Sequence, residues 1–256
     1  MKLKSGARKR SEKTLKETDN RFVLSWRKLK KNVFFAFFLD ILTIVVSALV
    51  LSLLIKTFIV RSFYIPSGSM LNTLQINDRI VVNELVPDVS PLHRGDVVVF
   101  EDPGGWLTPE SDLSDQSNPL VQAWDQFLSV FGFTAPDSRQ HLVKRVIGLP
   151  GDHVVCCSVS KKILINGVEI DETPYFPEGT DTSYVKFDVT VPADSYWVMG
   201  DNRTDSQDSR YHLDLPSKGF VGKQFIVGHA FVITWPKQHW TWLGSYPDVF
   251  KDVPNK

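Results

Sequence analysis

His141-Leu142-Val143-Lys144-Arg145-Val146-Ile147 alternates as a β-strand does, which puts Leu142, Lys144 and Val146 on one face. Pro150-Gly151-Asp152 turns the chain, and a second β-branched run, His153–Cys157, follows. Similar runs recur at Arg79–Asn83, Asp96–Phe100, Ile163–Ile165, Tyr184–Val191, Tyr196–Met199 and Phe225–Thr234, with Arg94-Gly95-Asp96 and Asn166-Gly167 as further turn signals. Residues 61–256 therefore read as a mainly β, mostly antiparallel domain with few helices. Lys144 is the unusual member of its strand. Burial disfavours an ammonium ion, and a lysine must fall from ~10.4 to roughly 7–8 to act as a base near neutrality. An edge-strand lysine that snorkels to water is the bland alternative.

Two stretches depart from the strand pattern. Residues 101–140 are rich in Pro, Gly, Asp and Ser and read as an inserted surface loop. Within it Leu120, Val121, Trp124, Phe127, Leu128 and Phe131 recur at helical spacing, an amphipathic helix whose apolar face either packs on the β core or dips into lipid. Near the C-terminus, Trp235-Pro236-Lys237-Gln238-His239-Trp240-Thr241-Trp242 is aromatic and is open to the same two readings.

Upstream of the β domain, residues 33–60 are interrupted by charge only at Asp40 and Lys56, and ~20 apolar residues suffice to cross a bilayer. Residues 1–32 carry twelve Lys and Arg against Glu12, Glu17 and Asp19. Positive flanks stay in the cytoplasm, so this tail should lie inside, residues 33–60 should span the membrane once, and residues 61–256 should lie outside. A cleaved N-terminal leader has a shorter apolar core of roughly 7–15 residues and a small-residue cleavage site, whereas Phe63-Tyr64-Ile65-Pro66 follows here.

Net charge is zero, with no overall basic excess to favour nucleic acid. The adjacent Cys156 and Cys157 would point to opposite faces of a strand, which favours two free or buried thiols although an extracytoplasmic site permits oxidation. No Cys/His ligand spacing is present and the Asp-rich loops are interleaved with Arg and Ser, so neither a metal nor another cofactor is expected.

Pro66-Ser67-Gly68-Ser69-Met70, just past the apolar run, is a small polar turn that can present a hydroxyl and outward backbone N–H groups. Gly200-Asp201-Asn202-Arg203-Thr204-Asp205-Ser206-Gln207-Asp208-Ser209-Arg210 can fix a loop by charge-assisted hydrogen bonds, or be merely solvated. With Lys144–Asp152 these stretches, in this order behind a single apolar run, closely resemble the sequence boxes of bacterial type I signal peptidases, the leader peptidases with a Ser/Lys dyad.

The resemblance implies a membrane-bound serine endopeptidase of the plasma membrane. It would remove signal peptides from secretory preproteins after Ala-X-Ala-type sites, with preproteins and membrane lipid as partners and no nucleic acid. It further implies that Ser69 attacks and Lys144 is its base, that Ser67 and the Ser69 N–H form the oxyanion hole, and that Ser206 orients the lysine. Asp208 with Arg210 and Asp201 with Arg145 would be supporting ion pairs, and Ile65, Pro66, Leu74, Leu142 and Val143 would line shallow pockets. Asn72 stands where the family often has Pro, which questions the stiffness of the loop, and Asn77-Asp78 stands where Gly-Asp is frequent. A Ser-His-Asp hydrolase is the rival enzyme, but no GxSxG elbow accompanies the six histidines. An anchored, non-catalytic β module is the rival outside enzymes.

Overall fold

The computed structural model describes residues 33–107, 141–176 and 185–255. The basic tail, the amphipathic stretch at 120–131 and Tyr184 lie outside the described residues. Val33–Phe58 forms helix α1, without Pro or Gly to break it. Its stretch Phe35–Leu53 has a mean hydropathy of 2.4. At 1.5 Å per residue those 19 residues span about 28 Å, enough to cross a hydrocarbon core. The helix ends two residues before the predicted limit, because Val60 already belongs to a strand. The chain divides into two compact units at Leu54 and Ile55.

The strands are β1 (Val60–Tyr64), β2 (Arg79–Asn83), β3 (Val97–Glu101), β4 (His141–Gly148), β5 (His153–Cys156), β6 (Ile163–Ile165), β7 (Val168–Glu169), β8 (Phe187–Thr190), β9 (Ser195–Met199), β10 (Val221–Gly222), β11 (Ile226–Trp235) and β12 (Thr241–Trp242). One sheet runs β1-β2-β11-β3-β4-β9-β10 with β12 on β11, and a smaller one runs β7-β6-β5-β8. Every pairing among the described residues is antiparallel, the mainly β architecture that the sequence predicts.

Alternation builds a core on each face of the large sheet. Val97 and Val99 of β3 pack with Phe63, Met70, Leu74 and Ile80, while Val98 and Phe100 pack with Val146, Tyr196 and Val198. A further core under the small sheet gathers Ile147, Val154, Ile163, Ile165 and Trp197. Strand β4 lies between β3 and β9, but β9 pairs with it only from Arg145 to Gly148, so Lys144, opposite Val98 of β3, stands where the second edge of β4 opens and is nevertheless buried.

Two sequence expectations change. Cys156 and Cys157 are joined in a disulfide rather than free. The strand ends at Cys156, so alternation does not govern Cys157, and the cis peptide between them brings the Cα atoms to 3.0 Å. Nor is the start of the 101–140 insert pure surface. The Asp102 carboxylate accepts N–H bonds from Gly104, Gly105, Trp106 and Leu107, folding the chain back so that Trp106 enters the core against Phe100 and stacks on His212.

Candidate active site

Between β1 and β2 the chain makes a loop closed at its foot by Ile65 N–H to Asp78 O and Asn77 N–H to Ile65 O, both 2.9 Å. Its tip is a turn in which Leu71 N–H bonds Gly68 O and Leu74 N–H bonds Met70 O, while Met70 and Leu74 plug into the core below. The apolar anchors hold Ser69 at the surface, half-buried. Asn72 has φ +85°, a conformation closed to proline, whose φ is fixed near −65°. Here the loop is held instead by the Asn72 amide, which donates to Phe176 O at 3.0 Å. Asn77 is likewise left-handed, at φ +75°, which explains why glycine would serve there.

Lys144 reaches this loop from β4. Its Nζ lies 2.8 Å from Ser69 Oγ and 3.0 Å from Val143 O, and the side chain is only 3% exposed. Burial pushes its pKa down to about 8; Asp208 and Asp201 pull the other way and Arg210 adds to the drop.

The loop after β9 completes the site. Asp201 takes Arg145 in a fork, Nε to Oδ1 at 2.8 Å and Nη2 to Oδ2 at 2.6 Å, and Asp208 takes Arg210 through two contacts of 2.8 Å. Burial alone would raise the Asp208 carboxyl, but the bonds and charge of Arg210 outweigh it and hold the carboxyl low. Ser206 Oγ is buried without a hydrogen-bond partner of full geometry, though close enough to Asp208 to help hold that carboxyl down. The expected bond from Ser206 to Lys144 is therefore not formed; Ser69 and Val143 occupy the amine instead. Of the other expected residues, Ile65 and Leu74 are buried in the core, Pro66 and Ser67 are exposed, and Leu142 and Val143 are half-buried.

Several residues in the site are given no role by the sequence reading, although Gly200 and Asn202 stand in its third stretch. Thr73 Oγ1 donates to Asp201 at 2.5 Å and accepts from Arg145, joining the Ser69 loop to the ion pair. Asn202 grips the turn twice, backbone N–H to Ser69 O and side-chain amide to Gly68 O, each 3.1 Å. Gly200 permits this approach: a Cβ there would overlap Ser206 Oγ and stand 2.5 Å from Ser69 O. All these partners are far apart in sequence, so spacing alone does not reveal them. The Ser69 N–H makes no hydrogen bond among the described residues, and neither does the Ser67 hydroxyl.

A family model described as signal peptidase, peptidase S26, matches residues 38–235. A probable signal peptidase I of Mycobacterium leprae (strain TN) is 35% identical over 207 residues, covering 71% of this chain and 70% of that protein. Signal peptidase I of Leptolyngbya laminosa is 37% identical over 184 residues, 72% of this chain and 73% of the relative. A third relative, signal peptidase I of Mycobacterium tuberculosis (strain ATCC 25618 / H37Rv), is 37% identical over 196 residues, 69% of this chain and 65% of its own length.

Proposed function

The chain belongs to the signal peptidase family, peptidase S26, as a serine peptidase, and from that premise we propose that it cuts signal peptides from secretory preproteins with a Ser69/Lys144 dyad. The observation that carries this reading is the buried Lys144 amine 2.8 Å from Ser69 Oγ. An amine with its pKa near 8 is substantially neutral at mildly alkaline pH and can take the hydroxyl proton as Ser69 Oγ attacks the scissile carbonyl.

The carbon–nitrogen bond then breaks as Lys144 returns that proton to the leaving amine. Water deprotonated by the same lysine then attacks the acyl-Ser69 ester, and its carbon–oxygen bond breaks as Lys144 returns that proton to Ser69 Oγ. The uncommitted Ser69 N–H and Ser67 hydroxyl stabilise the oxyanion at each tetrahedral stage. Ser206, buried and without a strong partner of its own, receives the lysine when Ser69 moves toward substrate.

On this reading Pro66, Leu142 and Val143, which are exposed or half-buried, line shallow pockets that exclude anything much larger than Ala, together with the buried Ile65 and Leu74. This favours Ala-X-Ala-type sites in an extended peptide bound by strand addition. Helix α1 crosses the plasma membrane once with the basic tail inside, leaving residues 61–256 outside, where preproteins emerge.

The test is cleavage of a preprotein by the full chain in detergent, with N-terminal sequencing of the product. Cutting after a small residue, lost in Ser69→Ala and in Lys144→Ala while both variants keep the wild-type circular dichroism, is the expected result. Full activity in Lys144→Ala would hand the base role to a histidine and end the dyad reading.

A further inference from the structure

Asp171–Phe176 lies outside every motif of the sequence reading, yet it touches each element that builds the site. Glu172, 5% exposed, accepts both terminal guanidinium nitrogens of Arg203, at 2.9 Å to Oε2 and 2.5 Å to Oε1. Arg203, held from behind in this way, donates its Nε–H to Gly200 O at 2.9 Å. Gly200 is the residue on which Ser69 O and Ser206 rest.

Tyr175 extends the same grip toward the lysine. Its hydroxyl donates to Glu172 Oε1 at 2.7 Å, and its fully buried ring lies 4.4 Å from the guanidinium of Arg145, the neighbour of Lys144 in β4. One residue further, Phe176 O receives the Asn72 amide from the Ser69 loop. A short turn, Thr173–Tyr175 with Pro174 in it, keeps these contacts in fixed relation.

We propose that Asp171–Phe176 is a strap that sets the separation of Ser69 and Lys144, with Glu172 and Tyr175 as its positioning residues. The inference rests on the dyad reading above. A buried ion pair is a poor stabiliser compared with apolar packing of the same volume, but a bidentate carboxylate–guanidinium pair is a strict geometric constraint. The pair stands directly behind the glycine against which the Ser69 turn is pressed, so its constraint falls on the hydroxyl. A displacement of about 1 Å at reacting atoms can cost on the order of a hundredfold in rate.

The experiment compares the full chain in detergent with Tyr175→Phe and Asn72→Gly, using a preprotein with a small-residue cleavage site. Tyr175→Phe keeps the ring on Arg145 and deletes only the hydroxyl bond. Asn72→Gly keeps the left-handed backbone and deletes only the amide bond. Glu172 keeps its paired Arg203 in both, so both should keep the wild-type circular dichroism, with Tyr175→Phe melting somewhat lower because the buried carboxylate loses one donor. Each is expected to lower kcat about tenfold with KM within about twofold, and the double variant to lose less than the product of the two, because both loosen one strap. Full kcat in both variants, with Ser69→Ala inactive, overturns the strap and leaves the dyad standing. Cutting by Ser69→Ala overturns the dyad and the strap with it.

Discussion

Burying Lys144 raises the free energy of its ammonium form, so the desolvation that would suit the amine to the proposed base role also works against the fold. In the unfolded chain the amine titrates near the ordinary 10.5, and in the folded chain near 8. Between those values the unfolded state holds more protons. Stability therefore rises with pH across that window and is lowest below about pH 8. Lys144→Met should melt higher than the wild type at pH 7, by an amount equivalent to about 3 kcal/mol, with the gap closing as pH approaches 10. The wild-type cleavage rate should climb with pH to a plateau above about 8, the pKa at which the amine becomes neutral. Equal melting curves at pH 7 would mean that the ammonium suffers no desolvation in the folded chain.

Among the elements, the β11–β12 hairpin packs Ala230 and Ile233 in one core with Met70 and Leu74 of the Ser69 loop and reaches that loop's foot through His239. His239, in the turn Lys237–His239, has its Nδ1 2.7 Å from Asp78 Oδ1, while Asp78 Oδ2 accepts Gln75 N–H at 2.8 Å. Asp78 is 1% exposed, so removing the imidazole leaves a buried carboxylate short of a donor, at about 1–3 kcal/mol. His239→Ala should be destabilised by that amount and should show faster amide exchange over residues 66–78; unchanged protection there would separate the imidazole from the loop. Periodicity found β2 and β6 to the residue because each is a β-branched run bounded by turn signals. It missed β1, whose Val60 continues an apolar run read as helix, and the two-residue strands β7, β10 and β12, too short to show a period. Lys144 stood out because its type contradicts its strand face. Glu172 did not, since in Asp171-Glu172-Thr173-Pro174 it reads as turn chemistry and its partner Arg203 lies 31 residues away.

On the scale of the whole molecule, the proposed function gives α1 the part of finding a substrate and the β unit that of cutting it. Confinement to one surface raises the effective concentration of an enzyme and a substrate that share it. A chain beginning at Ile59 should cleave a short soluble peptide at the full-chain rate but cut a vesicle-embedded preprotein about a hundredfold more slowly. Equal rates on the embedded substrate would leave the helix no kinetic part. The connection itself carries a metric. Ser69 stands eleven residues beyond Phe58, so at no more than ~3.6 Å per residue its Cα lies within about 40 Å of the helix end. On the anchored reading proposed above, so short a leash makes the enzyme a ruler: a bond displayed farther from the lipid than that reach passes uncut.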